Sequence, residues 1–222
     1  MKSADALMRM APVIPVLVIE EVVHARGIAE ALIAGGLPVM EVTLRTKAAL
    51  EAIREMDSVE GAFVGAGTVL NERDHDACLV AGAKFVVSPG LTEGLARAAM
   101  ASDIPFLPGV ATASDIMRGL DLGLNRFKFF PAMAAGGIPA LKALAAPFRE
   151  CRFCPTGGIT GATTSDWLAL EAVLCVGGSW IVQPGEPDFG RITEAAKAAA
   201  ALRKTLEKRD HTTAGVADIK EH

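Results

Sequence analysis

Eight short apolar runs, several of them rich in β-branched residues, at 13–19, 39–44, 62–67, 85–88, 105–109, 126–130, 152–156 and 173–177, alternate with Ala-rich stretches of helical period. That is the pattern expected of repeated strand-helix units, in which each helix carries the chain back and the strands pair in parallel. Strand onsets recur about every 20 to 25 residues. Eight units with continuous helical crossovers predict a closed (β/α)8 barrel, the TIM barrel, rather than an open sheet. The stop signals agree: the helix 24–34 runs into Gly35-Gly36, and Asn71, Thr92 and Ser114 are expected to cap the helices that end near Gly82, Ser102 and Gly123. An extra helix within residues 2–11 is expected to plug the barrel floor. Residues 1–208 read as one barrel domain and 209–222 as a polar, flexible tail.

Composition narrows the partners. Apolar residues make up 51% of the 222, enough for a sizeable core. The net charge of −4, with no basic run interleaved with aromatics, argues against nucleic acid. No apolar run approaches the roughly 20 residues of a membrane helix, and none sits in a signal-peptide context. Four cysteines are too sparse for a disulfide framework, so the expectation is a soluble protein of the reducing cytoplasm. Cys151 and Cys154 form C-x-x-C within a strand-like segment, where residues three apart face opposite ways, and the four histidines lack a second ligand at metal spacing. Neither a metal nor a cofactor is expected. Gly65-Ala-Gly67 lacks the third glycine of a dinucleotide fingerprint, and there is no Walker-type loop.

In a barrel of this kind the chemistry sits at the C-terminal ends of the strands. Lys128 stands within Arg126-Phe-Lys-Phe-Phe-Pro131, on the face opposite Phe127 and Phe129. If those rings pack outward, the lysine points inward. Burial disfavours the charged form of an amine, and a neutral lysine amine forms Schiff bases with carbonyl substrates. The alternative is a lysine whose head reaches a carboxylate or the rim, and position along the strand does not separate the two. Glu41 shares a face with Val39 and Thr43, so it points inward as well, either as a proton shuttle or as half of a structural ion pair. Thr156-Gly157-Gly158 and Gly177-Gly178-Ser179 follow the seventh and eighth strands, where such barrels commonly hold phosphate. One Gly-Gly could be only a tight turn, but two with flanking hydroxyls read as a phosphate site.

Six motifs in order, Glu41-Val-Thr-Leu-Arg-Thr46, Val64-Gly-Ala-Gly-Thr-Val-Leu70, Ser88-Pro-Gly-Leu91, Phe127-Lys-Phe-Phe-Pro-Ala132, Cys154-Pro-Thr-Gly-Gly-Ile159 and Gly177-Gly-Ser-Trp180, closely resemble the bacterial 2-keto-3-deoxy-6-phosphogluconate aldolases. The likeness runs from about Val13 to Leu206. It implies a metal-free class I aldolase on this barrel, usually a homotrimer, some members of which also accept 4-hydroxy-2-oxoglutarate. By the resemblance Lys128 forms the Schiff base with C2 of the 2-oxo acid and Glu41 moves protons. Arg45 and Thr68 would hold the pyruvate carboxylate, Pro89 and Phe130 would shape the pocket, and Thr156, Gly157, Gly158 and Ser179 would hold the distal phosphate. One position departs: some relatives carry an arginine near the end of the first strand, where this chain has Val18, and Arg45 is the expected substitute. Two other classes remain at this point, a phosphosugar isomerase with Glu41 as base and a barrel that binds a sugar phosphate without turnover.

Overall fold

The structure, a computed structural model, describes residues 3–204 and 206. The tail at 209–222, with His211 and His222, lies outside the described residues. Strands β1 (Val13–Leu17), β2 (Val39–Thr43), β3 (Phe63–Gly67), β4 (Val86–Val87) and β5 (Phe106–Leu107) join β9 (Val176–Gly178) in one parallel sheet, in the order β5-β4-β3-β2-β1-β9. A second parallel sheet has the order β6-β7-β8, from β6 (Gly109–Val110), β7 (Arg126–Phe129) and β8 (Arg152–Pro155). β1 and β2 are buried along their whole length, as expected of strands covered on both faces.

The expected eight strands are therefore nine among the described residues, because the run 105–109 is split at Pro108. Proline has no N–H to continue a ladder. Its carbonyl still accepts the Lys128 backbone N–H at 2.8 Å, so the first half of the run pairs with β4 and the second with β7. The last run also starts late. Val173 makes an isolated bridge to Phe153 and Gly177 one to Thr156, so β8 and the β9 segment touch without a regular ladder.

Helices α2 (Ala25–Ala34), α3 (Ala49–Asp57), α4 (Glu72–Val80), α5 (Glu93–Ala101), α6 (Ala113–Asp121), α7 (Gly137–Ala145), α8 (Thr164–Leu168) and α9 (Phe189–Ala200) occupy the connections and the C-terminal stretch. Asn71 caps α4 through the Asp74 N–H, whereas Thr92 precedes α5 without a side-chain cap bond. The cap of α6 is Thr112, not Ser114: Thr112 and Asp115 close a reciprocal capping box, which starts the helix two residues earlier. The N-terminal helix is shorter than 2–11, as α1 (Ala4–Met8), and buries Leu7 and Met8. Its Asp5 accepts from Arg126 Nε at 2.7 Å, at the start of the strand that carries Lys128. Burial pushes the Asp5 carboxyl up, but hydrogen bonds from Arg9 and Arg126 outweigh it and hold the group below its ordinary range.

Candidate active site

Alternation along β7 decides the direction of Lys128. Phe127 lies against Phe153 at 6.1 Å between ring centroids, and Phe129 against Trp167 of α8 at 6.5 Å. Lys128 takes the opposite face, is 6% exposed, and places Nζ 3.0 and 3.3 Å from the two Glu41 carboxylate oxygens. Glu41 comes from β2 and is 3% exposed. The Phe130 ring centroid lies 5.5 Å from Nζ. The inward lysine of the first alternative and the carboxylate partner of the second are both present, and that carboxylate stands beside open space.

The space is a cavity of about 280 Å³ at the C-terminal strand ends. All ten residues singled out from the sequence line it: Glu41 and Arg45 on and after β2, Thr68 after β3, Pro89 after β4, Lys128 and Phe130 on and after β7, Thr156, Gly157 and Gly158 after β8, and Ser179 after β9. Val16, Thr43, Ile159 and Gly177 complete the wall. Thr43 is the consequential addition. Its hydroxyl donates to the Leu17 carbonyl at 2.8 Å and accepts from Arg45 Nε at 3.2 Å, so β1 and β2 together aim the guanidinium. Strand alternation put Thr43 on the face of Glu41, but nothing local signalled the cross-strand bond.

At the far end, Gly157 and Gly158 follow one another at φ +106° and +75°, a left-handed pair that side chains rarely tolerate. The Thr156 and Gly157 carbonyls accept from Ala132 and Met133 N–H at 2.8 and 3.1 Å, which ties this loop to the turn after β7. The Thr156 hydroxyl occupies the space that a side chain at Gly177 would take, 2.2 Å from the Cβ position there. Lysine, glycine loop and hydroxyl are thus parts of one wall. Cys154 lies in the same region, with Sγ 3.9 Å from Thr156 Oγ1. All four cysteines are free, buried thiols, and burial pushes the Cys175 thiol well up, the neighbouring Cys154 adding to it.

Thr68 is strained. It is a β-branched residue at φ +60° on the cavity wall, a conformation that costs about 1 to 2 kcal/mol for side chains other than glycine. Thr68→Asn, which accepts left-handed backbone, should raise stability by about 1 kcal/mol, or roughly 2 to 4 °C in Tm, while lowering kcat/KM. A melting curve with no gain would mean that no strain is stored at this turn.

A buried lysine facing a glutamate at the strand ends of a parallel α/β fold has the make-up of an enzyme that works on a small carbonyl substrate. More narrowly, the chain belongs to the KDPG and KHG aldolase family, whose model matches residues 4–195. The KHG/KDPG aldolase of Escherichia coli strain K12 is 51% identical over 202 residues, 89% of this chain and 94% of that one. The crystal structure of the 2-keto-3-deoxy-6-phosphogluconate aldolase of Zymomonas mobilis ZM4 with 3-phosphoglycerate is 58% identical, with a TM-score of 0.88 over 89% of this chain and 95% of that one. The KDPG aldolase of Legionella pneumophila, with pyruvate captured as a covalent carbinolamine, is 47% identical, with a TM-score of 0.85 over 88% and 97% of the two chains.

Proposed function

We propose that this chain is a class I aldolase that cleaves 2-keto-3-deoxy-6-phosphogluconate to pyruvate and glyceraldehyde 3-phosphate, and accepts 4-hydroxy-2-oxoglutarate as a shorter substrate. The observation that carries the reading is the Lys128–Glu41 pair, buried at 3.0 Å and open to the cavity. The lysine amine adds to the C2 carbonyl, and the carbinolamine loses water to an imine while Glu41 protonates the departing hydroxyl. Loss of the C4 hydroxyl proton to the base breaks the C3–C4 bond. Its electron pair moves into the enamine, and the aldehyde leaves. Protonation at C3 and hydrolysis then return pyruvate and the free amine. The imine nitrogen is the electron sink, so the scheme needs no metal and no cofactor. The carbinolamine trapped in the Legionella pneumophila relative supports the first step.

In this reading Arg45 grips the substrate carboxylate beside Thr68, and Pro89 and Phe130 close the pocket around the pyruvyl part. Thr156, Gly157, Gly158 and Ser179 hold the distal phosphate, and the Zymomonas mobilis relative solved with 3-phosphoglycerate supports a phosphorylated acid as ligand. We read the two sheets as a closed (β/α)8 barrel of eight staves within a single domain at residues 1–208. Support comes from Pro108, which joins β5 to β6 as one stave, and from the β8–β9 bridges. Family resemblance supports a homotrimer. The four free thiols support the reducing cytoplasm, and among the described residues no helix is long and apolar enough to cross a membrane.

Substrate choice tests the assignment of the two ends. Ser179→Asp puts a negative charge where the phosphate would sit and removes a charge-assisted hydrogen bond of about 1.5 to 3 kcal/mol, so kcat/KM for the phosphorylated substrate should fall roughly ten- to a hundredfold. Cleavage of 4-hydroxy-2-oxoglutarate should change much less. Equal losses on both substrates would withdraw the phosphate assignment.

A further inference from the structure

We propose that Gly67 is a positioning residue: its missing side chain is the space in which the Glu41 carboxylate stands. β2 and β3 pair with Glu41 opposite Gly65 and Thr43 opposite Gly67, so Glu41 and the two glycines share the inner face. A Cβ built on Gly67 would lie 2.0 Å from Glu41 Oε1 and 2.6 Å from both Cδ and Cγ. Lys128 Nζ holds the carboxylate at 3.0 Å, so glycine and lysine together define its place. Gly67 does not have a left-handed backbone, unlike Gly157 and Gly158, so conformational freedom is not what the position requires. The neighbouring Gly65 makes the contrast. A Cβ on Gly65 would run into the Phe85 ring, an apolar packing role, whereas one on Gly67 would run into the carboxylate that faces the lysine. The Gly-x-Gly that failed as a dinucleotide fingerprint thus has a physical use, to leave the inner wall bare for one ring and one carboxylate.

The inference rests on Glu41 as the proton shuttle. With alanine at position 67, Oε1 must retreat from 2.0 Å towards the roughly 3.5 Å of ordinary contact. Misplacing a reacting group by about 1 Å can cost about a hundredfold. Cleavage and exchange of the pyruvate methyl protons are measured for Gly67→Ala, Glu41→Gln and the double variant. Both single variants should slow by about a hundredfold, and the double variant should be no slower than Glu41→Gln, because an amide that moves no proton has no proton transfer left to lose by displacement. A fast Gly67→Ala beside a slow Glu41→Gln overturns this inference alone, and so do losses that multiply in the double variant. A fast Glu41→Gln overturns the shuttle reading and this inference together. Stability supplies a readout that does not depend on turnover: Gly67→Ala should lower Tm in the native background and not in Glu41→Ala, where the space is free. An equal drop in both backgrounds overturns the proposal.

Discussion

Lys128→Arg should abolish cleavage while leaving the fold in place. Arginine keeps a positive charge opposite Glu41, which matters because stripping one partner from a buried ion pair leaves the other uncompensated, at a cost of about 3 to 5 kcal/mol. The guanidinium stays protonated and cannot add to a carbonyl. Turnover should fall by roughly 10⁴ to 10⁶, the scale on which removal of an attacking side chain is felt. Borohydride in the presence of pyruvate should load a covalent adduct onto the native chain and none onto the variant. Near-native turnover without a trapped adduct would remove the Schiff base from the reading, and a phosphosugar isomerase with an electrostatic lysine would then account for the same cavity.

Glu41→Gln is expected to have the second largest effect. The amide keeps the shape of the side chain and one oxygen facing Lys128 Nζ, which in the native pair lies 3.0 Å from Oε1, yet it cannot take or give a proton near neutrality. Carbinolamine dehydration, C–C cleavage and enamine protonation should all slow, by about a hundredfold or more. Exchange of the pyruvate methyl protons isolates the enamine steps, since it needs the imine but no aldol cleavage. An unchanged exchange rate would assign proton movement to another group or to water. If the adduct still traps at the native level while exchange is slow, the lysine and the glutamate have separate duties.

Much of the site was legible in the sequence, because its signals are local. Strand alternation alone put Lys128 opposite two aromatics, and the structure packs Phe127 on Phe153 and Phe129 on Trp167, which leaves the other face to the lysine. Strand-end position picked out Thr156 and Ser179, the family resemblance added Arg45, Thr68 and Pro89, and all of them line the cavity. Local signals also misled. Ser114 is a good capping residue by type, but Thr112 is also one and has Asp115 three residues on, so the box forms there. The run 105–109 reads as one strand by hydropathy and is broken at Pro108 by a missing N–H.

What the sequence by itself determined is everything set by short-range periodicity: alternating strands and helices, parallel pairing, the opposite faces of each strand, and glycine loops at the strand ends. The tertiary structure alone decided which inward groups meet. Lys128 and Glu41 are 87 residues apart, Thr43 finds the Leu17 carbonyl across 26, and Arg45 is aimed only because that bond exists. The strained turn at Thr68 and the bare wall at Gly67 belong to the same class, since neither residue type announces a left-handed backbone or a neighbouring carboxylate. The physical reason is that hydrogen bonds and van der Waals contacts are set at the ångström scale, whereas residue type and spacing define only the face from which a side chain leaves the strand. The curl of the sheets converts shared faces into shared atoms.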